Sequence, residues 1–118
     1  MGQNEAINRE ELSERLDGDF ELFRELAALF FDDSASLIDK IRVCIEADDM
    51  EGLRKNSHTL KGAVSNFSAQ GAYDASYELE MAGKNSDRSN MAEKLDRLRN
   101  EINLVIADMK SMIDKGSF

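Results

Sequence analysis

A chain of 118 residues with a formal net charge of -9 holds one domain and a single modest core. The acidity argues against nucleic acid and against an anionic membrane surface, since both are bound by clustered Lys and Arg. Proline and tryptophan are absent and glycines are few, which disfavours a sheet-rich sandwich and leaves helix uninterrupted.

The opening Met1-Gly2-Gln3-Asn4-Glu5 has neither a basic start nor an apolar run, so it is not a signal peptide. Residues up to about Ile7 are polar and are expected to fray. Asn8 caps a short helix from Arg9 to about Leu16, and Asp17-Gly18-Asp19 breaks it. So short a helix would lie over the end of a bundle. From Asp19 the apolar residues Phe20, Phe23, Leu26, Ala27, Phe30, Leu37, Ile38, Ile41 and Ile45 recur at helical intervals, which predicts a long amphipathic helix ending near Ala47. Asp32-Asp33-Ser34 is read within it as a solvated junction that bends or restarts the helix. Two carboxylates with no third ligand nearby do not make a metal site. Cys44 falls on the apolar side, the place of a small buried thiol rather than a reactive one. As the only cysteine it forms no internal disulfide, which fits a reducing cytoplasm.

Asp48 or Asp49 caps the third helix, from Asp49 to about Phe67, with a seam of Leu53, Ser57, Leu60, Val64 and Phe67. The fourth runs from about Ala69 to Ala82 and carries Ala72, Ala75, Ser76, Leu79 and Ala82 on one face. Gly83 or Asn85 then supplies a left-handed cap. The last helix, Asp87 to Asp114, has the clearest period: Met91, Leu95, Leu98, Ile102, Val105, Met109 and Ile113. The fold class is therefore all-α. Four long helices joined by short connections predict an antiparallel up-down bundle with a short additional N-terminal helix. It forms a single domain over 1–118, its ordered part roughly 8–114. The Met and Leu seams are core, not a cofactor box, and no run is long enough to span a membrane.

The chemistry-bearing stretch is Ser57-His58-Thr59-Leu60-Lys61-Gly62-Ala63, which holds the only histidine. On a helical wheel His58 lies about 140° from the centre of its helix's apolar sector. Glu51, Arg54, Lys61, Gly62, Ser65 and Ala69 fall within about 60° of it. The histidine thus projects from a polar, small-residue stripe rather than from the core. A neutral imidazole is nucleophilic at physiological pH and can take a phosphoryl group on a ring nitrogen. Lys61, one turn on, can balance phosphoryl oxygens. Gly62 removes a side chain where a partner must come close, although a mid-helix glycine costs about 0.5–1 kcal/mol.

His-Thr-Leu-Lys-Gly closely resembles the signature of histidine phosphotransfer (HPt) domains, the intermediate carriers of phosphorelays. The similarity extends from about Ile7 to Met112. Leu16-Asp17-Gly18-Asp19-Phe20-Glu21-Leu22 resembles the start of the family's second helix, and Ala47-Asp48-Asp49-Met50-Glu51-Gly52-Leu53 the acidic turn before its phosphorylated helix. The resemblance implies that His58 is phosphorylated on its outward ring nitrogen and exchanges the group with an aspartate of a receiver domain. It implies a partly apolar docking surface around His58, for which Arg54, Lys61, Gly62 and Ser65 are the candidate contacts. It also implies a residue on the next helix facing the histidine, here Glu80, which would orient the imidazole but repel a phosphoryl group.

No Gly-x-x-x-x-Gly-Lys loop is present, so the chain should not use ATP itself, and no His-Glu-x-x-His or Glu-x-x-His pattern supports a metal. Neither cofactor nor metal is expected. The reading is a monomeric phosphoryl carrier that lacks enzyme activity of its own. It would be cytoplasmic, or the cytoplasmic part of a membrane-anchored sensor kinase. Its partners would be receiver domains and a sensor kinase, not nucleic acid or membrane. The abrupt polar start favours excision from a larger protein. The competing class is a helical interaction module without phosphate chemistry.

Overall fold

In the computed structural model residues 6–118 are described, and the first three helix starts each trace to a side-chain cap. Asn8 accepts the Glu11 N–H at 3.0 Å and opens α1, Arg9–Arg15. Asp19 accepts the Leu22 N–H at 3.0 Å and opens α2, Phe20–Glu46. Of the two candidate caps for α3, Met50–Ser65, it is Asp49 that accepts, from the Gly52 N–H at 2.9 Å. Each bond satisfies a donor that the first helical turn leaves without a partner. Asp48 instead takes the left-handed conformation of the turn, with φ 57°. The remaining helices are α4, Gln70–Asn85, and α5, Met91–Lys115. Among the described residues there is no strand.

α3 packs most extensively on α4, α2 on α3, α4 on α5, and α5 closes back on α2. The predicted stripes meet in the middle: Phe23, Ala27, Leu53, Leu60, Val64, Ala75, Leu79, Leu98 and Val105 are all buried. Phe23 and Phe67 stack edge to face, and Phe30 meets Phe67 at 5.2 Å between centroids, which links α2 to the end of α3. Cys44 is buried as expected. Burial, and after it the charge of Asp49, pushes its thiol pKa up and suppresses the thiolate.

Four expectations are corrected. First, Asp32-Asp33-Ser34 neither bends nor restarts α2. Ser34 is fully buried and its hydroxyl donates to the Phe31 carbonyl at 3.3 Å, so the helix satisfies it internally while the two aspartates face solvent. Second, neither Gly83 nor Asn85 is the left-handed cap of α4. That position is Ser86, with φ 52°, and Gly83 is helical and buried. Third, α5 starts at Met91 rather than Asp87. The Asp87 carboxylate accepts the N–H and hydroxyl of Ser89 at 3.0 and 2.6 Å, holding an Asx-type turn before the helix. Fourth, Ile7 does not fray. It is 1 % exposed, and its N–H donates to the Asp108 carboxylate of α5 at 3.0 Å. The fraying expected of Met1–Glu5 lies outside the described residues.

α1 joins the end of the molecule that carries the α3–α4 turn. The Asn8 N–H donates to the Ser68 carbonyl at 3.0 Å and Leu12 is fully buried. At the α2–α3 and α4–α5 turns, the Arg88 guanidinium pairs with the Asp48 carboxylate, its Nη2 at 3.0 Å. His58 and Lys61 of α3 face Glu80 of α4.

Candidate functional site

His58 sits in the middle of α3 with its side chain 64 % exposed, outside the core as the wheel predicts. Its Nδ1 lies 2.8 Å from Oε2 of Glu80 on α4. An ionised carboxylate can only accept, so Nδ1 carries the hydrogen, and in the neutral imidazole Nε2 then keeps its lone pair. Among the described residues Nε2 has no hydrogen-bond partner.

Lys61 departs from the simple picture of a surface cation. Its side chain is only 16 % exposed and its Nζ lies 2.8 Å from Oε1 of Glu80. That oxygen is buried, and the Lys61 ammonium is its ion-pair partner. The same Nζ lies 5.2 Å from the ring centroid of Tyr77 and 5.8 Å from that of Tyr73, both on α4 and both within cation–π range. Burial raises the Glu80 pKa, but hydrogen bonding by Lys61 and His58 outweighs it, and the carboxyl lies below its ordinary value. The Lys61 ammonium is raised in turn, first by Glu80.

Gly62 is exposed and lies inside α3 without a positive φ. A Cβ built there meets nothing within 4 Å, so the fold does not demand a glycine. Arg54 is held along its own helix, Nε and Nη2 contacting Glu51 at 3.0 and 2.6 Å. The Ser65 hydroxyl donates to the Gly62 carbonyl at 2.7 Å. Ala69, placed by the wheel on the His58 stripe, is instead buried in the residue before α4, because α3 ends at Ser65. His58, Lys61 and Glu80 are therefore brought together, with Gly62 one turn along on the open side. A groove of about 440 Å³ lies where α1, α2 and the end of α3 meet, with Leu26, Leu29, Phe30, Ala63 and Phe67 on its apolar side and Arg15, Asp33 and Asn66 on its polar side. Among the described residues no cluster of three or more His, Cys, Asp or Glu could hold a metal ion.

Sequence reasoning missed Tyr73 and Tyr77. The signal was available: Tyr73, Tyr77 and Glu80 are spaced by four and three, a single helical stripe outside the seam of Ala72, Ala75, Leu79 and Ala82.

The helical bundle thus presents one solvent-facing histidine, tied to a carboxylate on the neighbouring helix. A family model for the Hpt domain matches residues 25–108, and the chain belongs to that family. Hpt domains are phosphocarriers of two-component signalling that interact with receiver domains and kinases. The match spans α3 and α4 with both partners of the His58–Glu80 contact, and begins after the Leu16–Leu22 segment. Neither a curated protein nor a solved structure matches the chain. Among the described residues no helix is long and apolar enough to cross a membrane.

Proposed function

We propose that this chain carries a phosphoryl group on Nε2 of His58 and exchanges it with an aspartate of a receiver domain. The bond between Nδ1 and Glu80 on an otherwise exposed imidazole carries this reading. It selects the tautomer whose free nitrogen is the nucleophile. In the transfer step the Nε2 lone pair attacks the phosphorus of the receiver's aspartyl phosphate. The P–O bond breaks and its electrons leave with the aspartate carboxylate. The Nδ1 hydrogen stays on the ring, which becomes cationic as the N–P bond forms, and the Glu80 carboxylate stabilises that charge. Reversal returns the group. Positioning and charge supply the catalysis, so no nucleotide machinery is required of the chain.

Arg54, Gly62 and Ser65 border the face that a receiver would cover, and the bare backbone at Gly62 permits close approach. The groove that Ala63 of α3 shares with Leu26, Leu29 and Phe30 of α2 supports a docking surface with an apolar part. The scaffold is read as a single domain, an antiparallel up-down four-helix bundle capped by α1. It acts as a monomer on the cytoplasmic side.

Incubation with a phosphorylated receiver domain tests this. Acid-labile, base-stable label should appear on this chain, and His58→Gln should lose all of it while keeping the helical circular-dichroism spectrum. Label of that type on the variant would overturn the assignment of His58. No label on the wild-type chain with any receiver would leave a helical interaction module.

A further inference from the structure

We infer that Tyr73 and Tyr77 are positioning residues for phosphoryl transfer, holding the Lys61 ammonium against Glu80 so that Glu80 can orient His58 without repelling the incoming phosphoryl group. This rests on the function proposed above and deepens it.

The starting point is a conflict of charge. Glu80 must be ionised to accept from Nδ1, yet an ionised carboxylate beside the phosphorylation site opposes a dianionic phosphoryl group. The conflict is resolved if Glu80 stays paired with a cation whenever the phosphoryl group arrives. Lys61 is that cation, at 2.8 Å. A lysine is a poor permanent counter-ion, however, because its long, flexible stem loses rotamer freedom when held in one place. Partly exposed ion pairs of this kind often contribute little for that reason.

The two rings change this balance. They place negative π-faces 5.2 and 5.8 Å from Nζ, on the same helix as Glu80 and on the same stripe. The ammonium therefore meets a carboxylate and two ring faces, and its preferred position is the one that neutralises Glu80. Tyr77 is 47 % exposed, more than a side chain placed for core packing would be. The Glu80–Lys61 pair is then a neutral dipole, its oxygen end on Nδ1. Lys61 serves the reaction through Glu80 rather than by direct contact with the phosphoryl oxygens.

The test separates ring from hydroxyl and positioning from folding. Tyr73→Leu, Tyr77→Leu and the double variant keep apolar bulk and lose the π-face, whereas the Phe variants keep the ring. Two readouts need no receiver domain. One is the tautomer ratio of neutral His58, from nitrogen–proton correlation spectra. The other is the rate of His58 phosphorylation by phosphoramidate, in which the donor's N–P bond breaks, ammonia leaves and the Nε2–P bond forms. Each Leu substitution should raise the Nδ1–H tautomer ratio, because a less neutralised Glu80 accepts more strongly, and lower the rate by about two- to fivefold, the double variant by more, and the Phe variants should stay near wild type. Lys61→Gln, which leaves both rings in place, should reproduce the double Leu variant. The single Leu variants provide the readout on the rings if the double variant fails to fold.

Unchanged ratio and rate in the Leu variants, or an equal loss in the Phe variants, would overturn the role of the rings. Because the tautomer is read without any phosphate, a failure of the rings is distinguishable from a failure of His58 to exchange phosphate with receivers.

Discussion

Gly62 is the residue at which folding and function pull apart. Its helical backbone and the open space around its Cβ mean that Gly62→Ala should stabilise the domain by up to about 1 kcal/mol, read by urea denaturation. Gly62→Gln should fold as well as wild type, yet slow phosphate exchange with a receiver by keeping the two backbones apart. A strongly destabilised Gly62→Ala would contradict the open geometry. Glu80 gives the second prediction at this scale. Its pKa is lowered in the fold, so it contributes stability that is present above the ordinary value of 4.5 and is lost as pH falls through the lower folded value. Glu80→Gln should remove that part of the acid-side slope when unfolding is followed below pH 4.5. The histidine face could be read from sequence because helix periodicity places His58 opposite its own seam. The burial of Lys61 could not. It depends on where α4 lies, and an exposed lysine and a caged one have the same spacing along α3.

Between elements, the α3–α4 contact is set by a residue whose sequence signal points elsewhere. Gly83 stands near a helix end, where a left-handed cap is the usual reading, but it lies within α4 against the first turn of α3. A Cβ there would come within 2.7 Å of the Arg54 nitrogen and the Met50 carbonyl oxygen. Both are backbone atoms that cannot swing away. Gly83→Ala should therefore destabilise the domain by about 1–3 kcal/mol, the opposite of Gly62→Ala. It should also slow His58 chemistry, since moving α4 away from α3 carries Glu80 away from Nδ1. Thermal denaturation of the two alanine variants side by side checks the contrast. The same pairwise logic explains α2. Asp32-Asp33 resembles a break in isolation, but Ser34 faces the core and the packing on either side keeps the helix continuous.

For the whole molecule, the N-terminal segment is tied to α5 by one buried carboxylate. Asp108 accepts the Ile7 N–H and pairs with the Arg9 guanidinium, its side chain 8 % exposed. Asp108→Ala should cost about 3 kcal/mol, because it leaves the buried Ile7 N–H without its acceptor and breaks a buried ion pair. Chemical denaturation should show this as a lower midpoint. The exposed large apolar residues Leu22, Leu29, Val43, Tyr77 and Leu104 lie on three different helices. Sedimentation at micromolar concentration should give a mass near 13.3 kDa. A stable dimer that must dissociate before taking phosphate would contradict a carrier that works alone.

Sequence by itself determined the helices, the cap at Asn8, the buried seams and the outward face of His58. Each of these is local, set by a repeat of 3.6 residues or by a side chain within reach of its own backbone. Tertiary structure decided what lies across a helix interface: Glu80 on Nδ1, Lys61 between Glu80 and two tyrosine rings, Gly83 against the α3 backbone, and Asp108 on Ile7. Those pairs are 12 to 101 residues apart. Helix periodicity gives the face a residue occupies but neither the rotation nor the offset of the helix beside it. Side-chain packing sets both only when the chain folds.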